Sequence, residues 1–189
     1  MVRSRVSSVV LSSNSQDAGD IGVAGRDRNA QGKHPHAMLI GIDPGPQIQS
    51  FVIFDGKQVL DRGDVSVADM VGIFTDSPDL MVAIEYIDCM GMAVGSETFA
   101  TVFNIGRLYS AVSERCRLIP RRDIKLHLCG SCRAKDPNVR QALIDKVGPV
   151  GRAKAPGPTY GIANHLWAAL AVAATAVDLQ KTGNEVFFE

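Results

Sequence analysis

The order of strand-like and helix-like segments after residue 37 is the feature that most limits the fold of this chain. Three short strand patterns come first: MLIGIDPG from Met38, then SFVIFDG and KQVLDRGDV, which flank the turn pair Asp55-Gly56 and predict a hairpin. Helical and strand-like segments then alternate up to an apolar C-terminal helix. This βββαβαβαα(α) order predicts an α/β domain with a mixed sheet and helices packed on it.

Local signals place the later elements. Ser66 predicts a helix cap for residues 67–74, and the apolar run 80–84 predicts a buried strand that ends at Glu85. A helix over about 96–114 is expected to have an apolar face made of Phe99, Val102, Phe103, Leu108 and Val112. The remaining predicted elements are a strand at 116–119, a helix from 120 to about 128, a helix over 136–147 capped by Asp136, a loop at 151–158 and a buried helix from about 162 to 181.

The chain divides by composition into three parts. Residues 1–37 are rich in Ser, Asn, Gln, Gly and Asp, which predicts a disordered N-terminal extension. Residues 38–181 form the predicted folded domain, and 182–189 a short tail. No segment has the ~18 uninterrupted apolar residues that a membrane span needs. We therefore expect a cytoplasmic protein without a membrane partner.

The zero net charge hides an uneven distribution along the sequence. Residues 38–106 contain two Lys/Arg and ten Asp/Glu, whereas residues 107–154 contain twelve Lys/Arg and four Asp/Glu. An acidic metal site beside a phosphate-binding surface would produce this pattern. Charged helix faces in contact with solvent would produce it equally well.

Two acidic residues stand at predicted strand ends. Asp43 follows Leu39 and Gly41 on one face of the first strand and precedes the turn Pro44-Gly45, and Glu85 follows the buried strand in the same way. If the two strands are neighbours, the carboxylates converge, and such a pair usually persists because a divalent cation neutralises it. The alternative is a turn residue and an ordinary strand end.

His165 is expected in the first turn of the last helix, which would bring it to the same sheet edge as a third ligand. A lone histidine there is more often a hydrogen-bonded core residue than a ligand. Ala168 lies on the same helix face and cannot bind a metal.

Basic residues cluster between the strand at 116–119 and the helix at 136–147. They predict a phosphate clamp that would hold a nucleic-acid backbone without reading its sequence, although some must be plain surface charges. Lys125 shares a helix face with its two arginine neighbours, and Lys135 is expected to approach the scissile phosphate. The predicted set is Arg121, Arg122, Lys125, Arg133, Lys135 and Arg140.

Cys129 and Cys132 form a C-x-x-C pair without a second ligand pair or a thioredoxin-like context, so we interpret the cysteines as ordinary thiols.

Taken in order, GIDPG, AIEY, RRDIKLHLCGSCRAKDPNVRQALI and NHLWAALAVA resemble the RuvC family of Holliday junction resolvases, especially its bacteriophage-type members. The resemblance covers about residues 38–180. GIDPG alone is weak, because sugar kinases and actin-like ATPases also begin with an Asp-x-Gly strand. The ordered set is much more specific.

The resemblance implies a ribonuclease H-like fold, with a five-stranded sheet whose first three strands are antiparallel, and a homodimer. It implies a crossover junction endonuclease that cleaves branched DNA such as four-way junctions with two Mg²⁺ ions, for which Mn²⁺ could substitute. Asp43 would bridge the metals, Glu85 and His165 would complete the ligands, and Lys125 and Lys135 would hold the scissile phosphate. Met90 and Met92 would act as wedges between unstacked bases.

One position departs from the family pattern. The last motif usually offers two acidic residues three positions apart, and here they are His165 and Ala168. The loss of a carboxylate leaves open a junction-binding protein with weakened catalysis, and the substrate could also be flaps or forks in general. An ATPase or kinase-like domain would need a second nucleotide-binding half, for which 189 residues leave no room.

Overall fold

The computed structural model describes residues 38–88, 91 and 93–182. The predicted N-terminal extension, the C-terminal tail after residue 182 and the proposed wedges Met90 and Met92 lie outside the described residues. Among the described helices, none is long and apolar enough to cross a membrane.

Five strands form one mixed sheet in the order β3-β2-β1-β4-β5. Strands β1 to β3 are antiparallel, and β4 and β5 run parallel to β1 and to each other. The mixed ribonuclease H-like sheet expected from the sequence is therefore confirmed. The strands are β1 (Leu39–Pro44), β2 (Gln49–Phe54), β3 (Val59–Val65), β4 (Met81–Tyr86) and β5 (Cys116–Pro120).

Helices cover both faces of the sheet. One apolar layer joins α1 and α2 to alternate positions of the strands, and the other joins α3, α4 and α5 to the remaining positions. A 3₁₀ turn, Ser113–Arg115, follows α2, and a small hairpin of β6 (Gly151–Arg152) and β7 (Ala155–Pro156) replaces the expected loop. The helices are α1 (Val67–Asp76), α2 (Ser96–Val112), α3 (Arg121–Cys129), α4 (Asp136–Val147) and α5 (Leu166–Thr182).

Several local signals act as the sequence predicts. Ser66 caps α1, because its hydroxyl oxygen accepts a hydrogen bond of 3.1 Å from the Asp69 amide. The Asp55 carboxylate accepts hydrogen bonds from the amides of Lys57 and Gln58 in the hairpin turn, where Gly56 has a φ of 89°.

The predicted apolar face of α2 is wrong for three of its five residues. Leu108 and Val112 are buried, but Phe99, Val102 and Phe103 are exposed. The buried face instead contains polar Thr101 and Asn104, whose side chains hydrogen-bond to backbone carbonyls. Because these hydrogen bonds satisfy the buried polar groups, Thr101 and Asn104 can lie on the buried face, and the aromatic side chains lie on the exposed face. The other residues on the buried face are Ile105, Leu108 and Val112.

The last helix begins at Leu166 and not near residue 162, so His165 precedes the first turn. Gly161 and Asn164 have φ angles of 78° and 47°, in the left-handed region that interrupts a right-handed helix. The rest of the helix is buried on nearly all sides, as expected. It packs closely on β1 at Gly41, where an added Cβ would lie 2.4 Å from the carbonyl oxygen of Ala169.

Candidate metal and DNA site

Asp43 and Glu85 lie on neighbouring parallel strands. In the β1–β4 register Ile42 stands beside Ile84, so the next residue of each strand is an acid. Alternation places both side chains on the sheet face that α5 covers, with Gly41 and Ala83. From the sequence, the two carboxylates are expected to converge only if the strands are neighbours. The observed register fulfils this condition.

The turn after Asp43 is fixed by two buried side chains that the sequence did not single out. Asn104 on α2 donates hydrogen bonds of 3.0 Å to the carbonyl oxygens of Gly45 and Pro46. Gln49 donates to the Gly45 carbonyl and accepts from its amide. These hydrogen bonds hold the backbone of the turn that directly follows Asp43 and Pro44. A polar residue within an otherwise apolar helix face was the available signal for Asn104.

His165 reaches the carboxylate pair from the start of α5. Its Nδ1 lies 3.0 Å from Oδ2 of Asp43, and its side chain is 81% exposed. The alternative of a buried core histidine is therefore wrong, because the residue stands before the helix and not within it. The His165 carbonyl accepts hydrogen bonds from the amides of Ala168 and Ala169, so the backbone of His165 is held at the start of α5.

Arg121, the first residue of α3, holds the second carboxylate. Its Nη1 donates to both oxygens of Glu85, at 2.8 and 2.9 Å, and its Nη2 donates to Oδ1 of Asp136 at 2.8 Å. The sequence predicted a phosphate contact for Arg121. In the structure its guanidinium is engaged with two acids of the site.

Burial dominates the electrostatics of both strand-end acids. It raises the pKa of Asp43 above the ordinary value, although the hydrogen bond and charge of His165 act in the opposite direction. Burial also raises the pKa of Glu85; Arg121 opposes this shift, and the nearby charge of Asp43 adds to it. Both carboxylates are thus held where their negative charges are poorly solvated, and a cation would relieve that cost.

Two clefts open on either side of the acids. The first, about 640 Å³, lies between α3, α4 and α5, and the second, about 800 Å³, lies along the β1–β2 turn and the start of α2. The residues common to both are Asp43, Glu85, Asn164 and His165. The acids therefore stand where two surface depressions meet.

The carboxylate oxygens of Asp43 and Glu85 suit a hard divalent cation such as Mg²⁺ or Mn²⁺, whereas the ring nitrogen of His165 is a borderline donor that transition metals favour. Within the described ranges, however, no three His, Cys, Asp or Glu side chains are already grouped around a metal-sized position. In the structure the Glu85 carboxylate is engaged by Arg121, while Asp43 and His165 are in contact with each other. Ala168 lines the first cleft and contributes no ligand.

The structure brings only some of the predicted basic residues to the clefts. Arg121, Lys125 and Arg140 line the first cleft, and the Arg140 guanidinium lies 4.9 Å from the ring centroid of Trp167. Arg122 instead pairs with Asp88 and Asp123. Arg133 and Lys135 are exposed on the connection between α3 and α4 and do not line either cleft. Their roles in DNA binding, and that of Lys135 at the scissile phosphate, stay predictions.

Asp136 belongs to the first cleft, although the sequence suggested only a helix cap. That expectation is wrong, because Lys135 occupies the cap position and Asp136 is the first residue of α4, with its side chain on Arg121. The Asp136-Pro137 pair is typical of helix starts, so no sequence signal indicated the contact with Arg121, which is 15 residues away.

Cys116, Cys129 and Cys132 form no disulfide in the described part of the chain, and their interpretation as ordinary thiols stays a prediction; Cys89 lies outside the described residues.

The strand order and the paired strand-end acids define a ribonuclease H-like α/β domain. Solved structures of Thermus thermophilus RuvC are similar to it: one has a TM-score of 0.58 at 19% identity and covers 77% of this chain and 96% of that chain. The structure of T. thermophilus RuvC in complex with Holliday junction substrate has a TM-score of 0.59 at 19% identity, over 78% and 97% of the two chains. No protein-family model and no curated relative matches the sequence. The chain thus has a RuvC-like fold.

Proposed function

We propose that this protein is a metal-dependent endonuclease that cleaves Holliday junctions and related branched DNA. The observation that carries the proposal is the convergence of Asp43 and Glu85 on neighbouring strands, beside a cleft with basic side chains. The RuvC-like fold, seen in a T. thermophilus protein bound to Holliday junction substrate, supports the choice of substrate.

Each residue has a distinct task in this proposal. Asp43 and Glu85 supply the oxygen ligands, and His165 supplies a nitrogen ligand after it releases Asp43. Lys125 neutralises a DNA phosphate in the first cleft, and Arg140 adds positive charge on the wall formed with Trp167. Two Mg²⁺ ions, or Mn²⁺ in their place, would supply an activated hydroxide and stabilise the leaving oxygen.

The exposed aromatic face of α2 supports a homodimer. Phe99 and Phe103 are 65% and 68% exposed, and Val102 on the same side of the helix is 42% exposed. Exposed apolar side chains gathered on one helix face favour burial against another protein surface. A resolvase that cuts two strands symmetrically needs two sites, which a second copy of this chain would provide.

A junction-binding protein with weak catalysis is the second candidate. Ala168 supports it, because this residue lines the first cleft without offering a ligand, and the described site has no ready group of three ligands. Such a protein would keep the basic cleft and bind junctions without cutting them.

Incubation of the purified protein with a labelled four-way junction separates the two candidates. The reaction is run without metal, with Mg²⁺ and with Mn²⁺, and with flap and fork substrates in parallel. We expect nicks near the branch point with either metal and none without metal. Binding without nicks, while a known resolvase cuts the same substrate, would support the weakened binding protein and contradict the enzyme proposal.

A further inference from the structure

The Arg121 guanidinium joins a buried acid to an exposed one. The Glu85 side chain is 9% exposed and the Asp136 side chain is 74% exposed, and Arg121 donates to both through different nitrogens. The buried acid therefore has a permanent positive partner in the protein itself. The exposed acid offers that partner a second place to bind.

The fold fixes the positions of the three residues. Glu85 pairs with Ile119 in the parallel β4–β5 register, and β5 leads after Pro120 directly into Arg121. Asp136 starts α4, which packs beside α3. Because the three residues stand at a strand end and at two helix starts, their contact does not depend on a flexible loop conformation.

A divalent cation and Arg121 compete for the same carboxylate. An ion coordinated by Glu85 would lie within a few ångströms of a guanidinium that touches both carboxylate oxygens, and like charges at that separation repel strongly. Arg121 therefore has to withdraw before Glu85 binds a metal. Asp136 already holds Nη2, so the guanidinium can move outward without losing its charge partner.

We propose that Arg121 is a built-in competitor of the metal for Glu85, and that Asp136 receives the Arg121 guanidinium when the metal binds. The pair would set the affinity of the site for divalent cations. The inference rests on the proposed function, because it takes Asp43 and Glu85 to be metal ligands. Arg121 and Asp136 are positioning residues in this account, and Arg121 is not a DNA contact.

Direct metal binding by Asp136 is the main alternative, because this carboxylate is close enough to raise the pKa of both Asp43 and Glu85. The two readings differ in a double-mutant cycle. If Asp136 is a metal ligand, Asp136→Asn weakens metal binding whether or not Arg121 is present. If Asp136 only receives Arg121, Asp136→Asn weakens metal binding only while Arg121 is present.

The experiment measures Mn²⁺ affinity of the full chain without DNA, from the EPR signal of free Mn²⁺. Wild type is compared with Arg121→Met, Asp136→Asn and the double variant, and thermal melting checks that each is folded. Arg122→Met is the matched control, since it removes a neighbouring arginine that pairs with Asp88 and Asp123 and not with Glu85. Arg121→Gln replaces Arg121→Met if the latter does not fold.

We expect Arg121→Met to bind Mn²⁺ about tenfold more tightly than wild type. Arg122→Met should change the affinity less than about threefold, because its half-exposed guanidinium pairs with Asp88 and Asp123 and not with Glu85. Asp136→Asn should weaken binding about fivefold with Arg121 present and less than about twofold in the Arg121→Met background. Equal weakening in both backgrounds would make Asp136 a ligand and overturn the proposal, as would unchanged affinity in Arg121→Met.

A different result would contradict the proposed function itself. Asp43→Asn should abolish Mn²⁺ binding in wild type and in Arg121→Met. If Asp43→Asn leaves Mn²⁺ binding unchanged in both backgrounds, or if neither protein binds Mn²⁺, the carboxylate pair is not a metal site. The proposed role of Arg121 then fails as well.

Discussion

The Asp43 carboxylate stands where water reaches it poorly. Its side chain is 15% exposed, and burial raises its pKa even though His165 lies 3.0 Å away. In the absence of a cation, the charged form of Asp43 therefore costs folding free energy at neutral pH. A residue retained at such a cost is typical of a functional site.

Asp43→Asn should raise the thermal stability of the metal-free protein at pH 7. The folded pKa lies above the ordinary value of 3.8, so the stability gained by protonation is complete below pH 3.8 and is lost as the pH rises through the folded value. Asparagine is neutral throughout, and each kcal/mol relieved raises the Tm by about 2–4 °C. Melting curves in EDTA from pH 3 to 8 test this, with exposed Asp79→Asn as control.

The Tm advantage of Asp43→Asn over wild type should shrink as the pH approaches 3.8, and it should be absent in Asp79→Asn. A variant that melts below wild type at pH 7 would show that the hydrogen bond to His165 outweighs desolvation.

Lys125→Ala should weaken both junction binding and turnover. The Lys125 side chain is 20% exposed and lines the first cleft, and its Nζ lies 3.8 Å from Oδ1 of Asp136. Loss of one phosphate contact should weaken binding by about 1 kcal/mol or more and lower the salt slope of log K by about one. Fluorescence anisotropy of a labelled junction between 50 and 200 mM salt, as rough limits, measures both quantities.

Lys57→Ala is the matched control for Lys125, because it removes an exposed lysine in the β2–β3 turn, outside both clefts. If both variants lose junction affinity equally, Lys125 contributes only general charge attraction, and the proposed phosphate contact is contradicted.

At the scale of elements, α5 and β1 hold the site together. Gly41 lets the helix backbone approach the strand, and an added Cβ would meet the Ala169 carbonyl at 2.4 Å and the Ala173 amide at 2.6 Å. The close approach brings the start of α5, and with it His165, next to Asp43.

Gly41→Ala should therefore destabilise the protein by about 3 kcal/mol, since backbone atoms cannot move aside as a flexible side chain can. Urea denaturation measures the change. Gly95→Ala, where nothing lies within 4 Å of an added Cβ, should cost less than about 1 kcal/mol. A Gly41→Ala variant as stable as Gly95→Ala would contradict the packing of α5 on β1.

The elements also show how far the sequence could be read. Strand periodicity and the order of segments predict the sheet, because these signals are local. Acidic residues at the ends of two predicted strands indicate the candidate metal site, because the strands pair. The start of α5 escaped prediction because left-handed Asn164 has no strong sequence signal. The bridge from Arg121 to Glu85 escaped because its partners are 36 residues apart. Residue types alone do not show which contacts a tertiary fold will form.

At the scale of the whole molecule, the surface proposed to bind DNA and the surface proposed to bind a second copy of the chain differ in composition. The first cleft combines acidic and basic residues, whereas α2 carries exposed Phe99, Val102 and Phe103. A charged surface suits DNA and an aromatic surface suits a protein partner. The first cleft and the exposed face of α2 would therefore take different partners in the proposed function.

The double variant Phe99→Ser, Phe103→Ser should convert a homodimer to a monomer, because loss of two aromatic anchors at the centre of an interface typically costs more than about 2 kcal/mol each. Sedimentation velocity over a range of concentrations measures the change. Leu126→Ser, at an exposed apolar residue of α3, should leave the dimer intact. A wild-type monomer at high concentration, or a double variant that stays dimeric, would contradict the interface.

The central claim, that Asp43 serves a metal and not the DNA, is tested most directly by Asp43→Asn with a four-way junction. Cleavage with Mg²⁺ and junction affinity are measured on the same preparation, with Asp79→Asn as control. The account predicts that cleavage falls by at least about a thousandfold in Asp43→Asn while the dissociation constant changes less than about threefold. Full cleavage by Asp43→Asn would contradict it.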